Sequence, residues 1–287
     1  MTKRGSIEVS EVQQRRDAWF SRRRRYVRQA TRGWRQLDPV DRAHLDEYPY
    51  PYYAYSVLVS CMQARMLGHE AVTVIEFGVA GGNGLVALER AAGEIGDQLG
   101  VHVDVLGFDN AEGMPPSEEP EDMIYWYRPG AFEMDTVRLR AKLSRARLFL
   151  GRVEETISEA TASLRGPIGF CSLDLDYYSA TTQALKVFDA PHETRLPRVL
   201  LYADDIFGWY DLNIMGASVG EERAFAEFNA DHKDLRIDAV RGLRHKRPVP
   251  AMWNEKMFAL HDLTHPGYDT PINPVSADQR AALLSLQ

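Results

Sequence analysis

Between Val72 and His261 the chain alternates short apolar runs with helix-length amphipathic stretches, and few folds accept that pattern. Runs at 72–77, 103–108, 146–150, 168–174, 198–203, 235–240 and 256–261 read as strands. Segments 84–97, 133–144, 153–164, 179–188 and 219–231 read as helices between them. The alternation predicts the α/β class: a doubly wound, mostly parallel, seven-stranded Rossmann-like sheet that meets its ligands at the C-terminal strand ends. The last two strands follow each other without an obvious helix, which lets them pair antiparallel. With 287 residues the chain is long enough for one such domain with extensions.

The extensions differ in character from the body. Residues 12–35 read as a basic helix that includes Arg22–Arg25. The segment Tyr48-Pro49-Tyr50-Pro51-Tyr52-Tyr53-Ala54-Tyr55 reads as a rigid aromatic connector, because two prolines disfavour a regular helix. It suits a substrate lid or a staple holding the arm to the core. A helix over 55–68 follows, ended by Gly68. The expected organisation is a helical arm and Tyr/Pro cap over 1–68, a catalytic domain over 69–265, and a tail over 266–287 with a short helix at 276–285.

Residues 1–36 carry eleven basic and three acidic residues. That leaves 23 against 38 elsewhere, a body of net charge −15 within a chain of net −7. An acidic body opposes extended contact with nucleic acid, whose partners are strongly basic. The arm keeps an RNA-directed activity open as an alternative, and it is also a candidate for self-association. No apolar run reaches the roughly 18 residues that span a bilayer, and the polar N-terminus points to the cytoplasm rather than secretion. Cys61 and Cys171 have neither metal nor redox spacing and read as buried thiols.

The chemistry concentrates at the strand ends. Glu76-Phe77-Gly78-Val79-Ala80-Gly81-Gly82-Asn83-Gly84 places an acid and a glycine-rich turn between the first strand and the next helix, an arrangement that grips a nucleoside-bearing cofactor. Gly82-x-Gly84-x-x-Ala87 formally matches a dinucleotide fingerprint, which keeps an NAD-dependent oxidoreductase in view. Asp109 ends the second strand, where a carboxylate can accept from both ribose hydroxyls. Asp174 and Asp176 follow the fourth strand and share a face if the strand persists. Asp204 and Asp205 follow the fifth and converge only if the chain is already leaving it. Oxygen ligands from two neighbouring strand ends suit a hard cation such as Mg²⁺. Among the histidines, only His261 lies near a strand end.

The spacing Glu-x-Gly-x-x-x-Gly resembles that of class I S-adenosylmethionine-dependent methyltransferases. A narrower resemblance spans roughly 70–230: Glu76-Phe77-Gly78-Val79-x-x-Gly82, Gly107-Phe108-Asp109-x-x-Glu112-Gly113-x-Pro115, Gly151-x-Val153-x-x-Thr156, Leu173-Asp174-x-Asp176-x-Tyr178-Ser179-x-Thr181 and Asp204-Asp205. In this order they resemble the macrocin O-methyltransferase family of antibiotic-tailoring enzymes. The resemblance implies Mg²⁺-dependent methyl transfer from S-adenosylmethionine to a hydroxyl of a small molecule, often a sugar. It assigns the metal to Asp174, Asp204 and Asp205 and the base to Asp176. Cofactor contacts fall to Glu76, Gly78, Gly82, Asp109, Asn110, Val153 and Asp174, with Asp109 on the ribose and the Gly151–Val153 turn near the adenine. Ile206 stands where the family usually has an aromatic residue, and a longer stretch, Phe207 to Gly220, follows it.

Overall fold

Seven strands form one sheet in the computed structural model, which describes residues 37–208 and 210–272. They are β1 (Ala71–Phe77), β2 (His102–Asp109), β3 (Arg147–Leu150), β4 (Ile168–Leu173), β5 (Arg195–Ala203), β6 (Leu235–Ala239) and β7 (Met257–Asp262). Their spatial order is β3-β2-β1-β4-β5-β7-β6. The first five are parallel, and β7 runs antiparallel to both β5 and β6. The expected sheet and the antiparallel last pair are therefore present. The arm read over 12–35 and the short helix read over 276–285 lie outside the described residues.

Alternation along the strands separates two cores. Val72 and Val74 of β1, Val103 and Val105 of β2, and Phe170 of β4 face one layer. That layer is built by α2 (Pro51–Met66) and α3 (Asn83–Leu99), with α1 (Pro39–His44) outside them. Ile75, Phe77, Leu106, Phe108, Cys171 and Leu173 face the other layer. There α5 (Val153–Ala162), α6 (Tyr178–Leu185) and α7 (Gly220–Asp231) cover the sheet. Side chains two apart share a face of a strand, so the period of two fixes these layers. Cys61 and Cys171 are buried free thiols on opposite faces. Among the described residues, no helix is long and apolar enough to cross a membrane.

Two local expectations need correction. The Tyr/Pro segment is helical from Pro51 onward, with Pro51 at the first helical position and Tyr50 as N-cap. Proline is tolerated there because its missing N–H would have had no intrahelical partner, and its fixed φ suits the helix. The helix read over 133–144 shrinks to α4 (Thr136–Arg140). Asp135 caps its start, accepting from the Arg138 N–H at 2.9 Å. Beyond it, Glu89 of α3 collects the backbone N–H groups of Ser144, Arg145 and Ala146 at 2.8–3.0 Å, which turns the chain into β3. A side chain distant in sequence thus ends this helix early. The remaining helix, α8 (Leu243–Lys246), lies between β6 and β7.

Candidate active site

The C-terminal ends of β1, β2, β4 and β5 open onto a cleft of about 700 Å³. Sheet register brings the sequence signals together there. Phe77 lies beside Phe108 and Leu173, and Leu173 beside Ala203. Backbone bonds carry the ladder one residue further: the Gly78 N–H donates to Phe108 O, Asp174 N–H to Phe77 O and Asp204 N–H to Leu173 O, at 2.9–3.0 Å. Glu76, Gly78, Gly82, Asp109, Asn110, Val153, Asp174, Asp176, Asp204 and Asp205 all line the cleft.

The glycine turn is shaped around carboxylates. Gly78 has φ +84°, and a Cβ there would sit 1.8 Å from the Asp174 carbonyl oxygen, so only glycine lets the turn meet the end of β4. Gly84 makes room for Glu76, since a Cβ would lie 2.1 Å from Glu76 Oε1. That oxygen accepts from the Tyr53 hydroxyl of α2 at 2.6 Å, while Oε2 is buried without a hydrogen-bond partner. Burial, reinforced by the charge of Asp109 and opposed by the Tyr53 hydrogen bond, pushes the Glu76 carboxyl up to about 8. Gly84, part of the formal dinucleotide match, therefore serves an acid.

Asp109 holds the turn from the other side. Its Oδ2 accepts from Val79 N–H and Ala80 N–H at 2.9 and 2.7 Å, and its Oδ1 from Ala111 N–H at 2.7 Å. An ionised carboxylate has about four acceptor positions. Three are taken, which leaves room for one ribose hydroxyl rather than two. Asn110 is likewise engaged within its loop, donating to Gly113 O and accepting from Glu112 N–H. The neighbouring Glu112 lines the cleft, as do Gly151, Arg152 and Val153.

The acids beyond β4 and β5 form a tight group. Asp174, Asp204 and Asp205 each offer an oxygen, and these atoms lie within 4.8 Å of one another. The chain has left the strand on both sides, since β4 ends at Leu173 and β5 at Ala203. Asp174 and Asp176 lie beyond the strand and Asp176 has φ +61°, so the pair does not share a strand face, yet both line the cleft. Asp174 is exposed within it. Removal from bulk water, then the charges of Asp205, Asp204, Asp176 and Glu76, holds its carboxyl well above the ordinary carboxylate range. Burial chiefly pushes Asp176 up to about 6. Asp205 is raised by burial and by Asp176 and Asp204.

Several partners of this group carry no motif. Tyr127 donates to Asp205 Oδ1 at 3.1 Å and Tyr202 to Asp204 Oδ1 at 2.6 Å. Buried Lys256, just before β7, is 2.9 Å from Asp204 Oδ1 and also donates to the Asp204 carbonyl. Glu221 of α7 accepts from the Asp205 N–H at 3.0 Å. The Tyr/Pro segment divides between the core and the cleft. Tyr48 is a buried staple bonded to Glu94, whereas Tyr50, Tyr52 and Tyr53 line the cleft. His261 pairs in register with Arg198, at the opposite end of β5 from the acids, and no histidine lines the cleft among the described residues.

Solved structures of methyltransferases are similar to this chain. The calicheamicin methyltransferase CalS11 is 20% identical, with 72% of this chain and 78% of that chain covered and a TM-score of 0.46. The O-methyltransferase TomG from Streptomyces achromogenes, in complex with S-adenosylmethionine, is 15% identical over 76% and 85% with a TM-score of 0.42. An O-methyltransferase from Bacillus cereus, in complex with S-adenosylhomocysteine, is 14% identical over 77% and 87% with a TM-score of 0.39. No family model matches the chain, and no curated protein matches its sequence.

The acid group fits a hard divalent cation. Asp205 Oδ2 and Glu221 Oε1 are buried without hydrogen-bond partners, and Lys256 supplies a single positive charge against Asp174, Asp176, Asp204, Asp205 and Glu221. Oxygen-only donors at this separation match the preference of Mg²⁺.

Proposed function

We propose that this chain is an S-adenosylmethionine-dependent, Mg²⁺-dependent O-methyltransferase acting on a hydroxyl of a small natural product. The acidic lining of the cleft carries this reading, with burial raising the carboxyls of Glu76, Asp174, Asp176 and Asp205 and so lowering the charge they carry. Eight lining residues are acids (Glu76, Asp109, Glu112, Glu154, Asp174, Asp176, Asp204 and Asp205), and among the described residues Arg152 alone is a lining cation. Two unit charges 4 Å apart interact by about 4 kcal/mol at an effective dielectric of 20. A dinucleotide would bring its pyrophosphate into this field, and the partial charge of one helix N-terminus is too small to offset it. A sulfonium brings a positive charge instead.

In this reading Glu76, Gly78 and Gly82 receive the methionine end of the cofactor. Asp109 takes one ribose hydroxyl and Glu112 the other, with Asn110 holding their loop. Val153 lies against the adenine. Asp174, Asp204 and Asp205 would hold Mg²⁺, which when bound supplies Lewis acidity to a coordinated hydroxyl. Asp176 takes the acceptor proton. A carboxylate raised towards neutrality is a stronger base than an ordinary one, which suits that task. The Tyr127 and Tyr202 hydroxyls orient Asp205 and Asp204, and Lys256 limits their mutual repulsion.

The metal assignment is tested by titrating Mn²⁺ into the full chain saturated with S-adenosylhomocysteine, followed by electron paramagnetic resonance. One Mn²⁺ per chain, displaced by Mg²⁺ and bound at least tenfold more weakly by Asp204→Asn, is expected. Equal binding by the variant, or none by either protein, contradicts it.

A further inference from the structure

We propose that the acceptor is an uncharged aromatic diol, a catechol-type ring on a flat apolar body, rather than a nucleotide-linked sugar. This rests on the methyl-transfer reading and names the substrate class of the same site. Two loops form the mouth of the cleft: the one following β2 and the one following β5. Trp126 from the first and Tyr210 from the second meet with ring centroids 5.5 Å apart at 44°. The Tyr125 hydroxyl ties the loops together by donating to Ile214 O at 3.2 Å. Trp126 directly precedes Tyr127, whose hydroxyl contacts Asp205. An aromatic surface thus begins one residue from the acid group. On the other wall Tyr52 stacks on Tyr202, centroids 3.8 Å apart at 8°, and Tyr202 contacts Asp204.

The same loops expose large apolar side chains. Leu212 and Ile214 are 67% and 75% exposed, and Ile124, Tyr125, Phe132 and Tyr210 are also exposed. These six are more than half of the ten exposed large hydrophobic residues among those described, and Phe132 and Tyr210 line the cleft itself. Such clustering marks a binding surface, whereas scattered singles do not. Trp126, Phe132 and Tyr210 line the cleft, and aromatic side chains there favour a planar aromatic body.

Charge separates the acceptor classes. A diphosphate is usually received by arginine, lysine or a row of backbone N–H groups. Here Arg152 lies 2.5 Å from Glu154, and Lys256 is turned to Asp204 behind the wall. A phosphorylated acceptor would meet carboxylates. A diol presents two neutral donors to Asp174, Asp176, Asp204 and Asp205, and adjacent oxygens suit a shared cation.

The test uses the full chain, so that basic residues 1–36 are present. Each sample is first titrated with S-adenosylhomocysteine, then, saturated with it and Mg²⁺, with 2,3-dihydroxynaphthalene or UDP-glucose. The naphthalenediol is expected to bind. UDP-glucose is expected not to bind. Trp126→Ala and Tyr210→Ala are each expected to weaken the diol about tenfold while S-adenosylhomocysteine affinity stays within twofold. Tighter binding of UDP-glucose, absence of diol binding, or diol binding indifferent to both variants overturns the proposal. If S-adenosylhomocysteine binds and the diol does not, the acceptor class alone fails. If S-adenosylhomocysteine does not bind, the methyl-transfer reading falls with it.

Discussion

Glu76 is an acid sealed between the sheet and α2, with one oxygen on the Tyr53 hydroxyl and the other without a partner. Its folded-state value of about 8 lies above the ordinary 4.5, so the folded protein keeps it protonated where the unfolded chain releases the proton. The stability it allows is complete below about pH 4.5, falls as pH rises towards 8 and then levels off. The slope in that window is about 1.4 kcal/mol per pH unit. Glu76→Gln should remove this slope, so the stability difference between variant and wild type should grow in the variant's favour from pH 5 to 8. Urea unfolding across that range measures it, and parallel curves would contradict the assignment. Asp109 illustrates what sequence could and could not convey. Its place at a strand end was legible, but its grip on the Val79 and Ala80 N–H groups depends on how the turn folds back. Lys256 and Glu221 were not legible, since each reaches the acids from a segment with no motif.

At the scale of elements, the junction between β1 and α3 organises the cleft. Gly78 adopts φ +84° and lies against the Asp174 backbone, so any side chain there must push β4 away from β1. Gly78→Ala combines a left-handed residue, costing about 1–2 kcal/mol, with overpacking, costing about 1–3 kcal/mol. A loss of about 2–5 kcal/mol in chemical denaturation is expected, together with at least tenfold weaker S-adenosylhomocysteine binding. Wild-type stability and affinity in the variant would show that the junction tolerates separation. The strands themselves were legible because period-two burial is written locally, and the observed β1, β2 and β5 differ from the sequence reading by at most a few residues. Helix limits were less so. Glu89 cuts α4 short from a distant helix. Pro51 begins α2 rather than interrupting it, since its effect depends on position within the first turn.

Across the whole molecule, sheet register converts separate sequence motifs into one acidic cleft. Glu76, Asp109, Asp174 and Asp204 are far apart in the chain, and each sits at or just beyond the end of one of four adjacent parallel strands. The convergence of acids was legible once a parallel sheet was inferred. The aromatic mouth was less legible, because Trp126 and Tyr210 belong to irregular loops whose meeting leaves no periodic trace. In the proposed reading, the excess of acidic over basic lining residues favours a sulfonium donor over a pyrophosphate-bearing dinucleotide. Calorimetric titration of the full chain with S-adenosylmethionine and, separately, with NAD⁺ tests this most directly. Stoichiometric binding of S-adenosylmethionine with no detectable NAD⁺ binding is predicted, and NAD⁺ binding without S-adenosylmethionine binding would contradict the account.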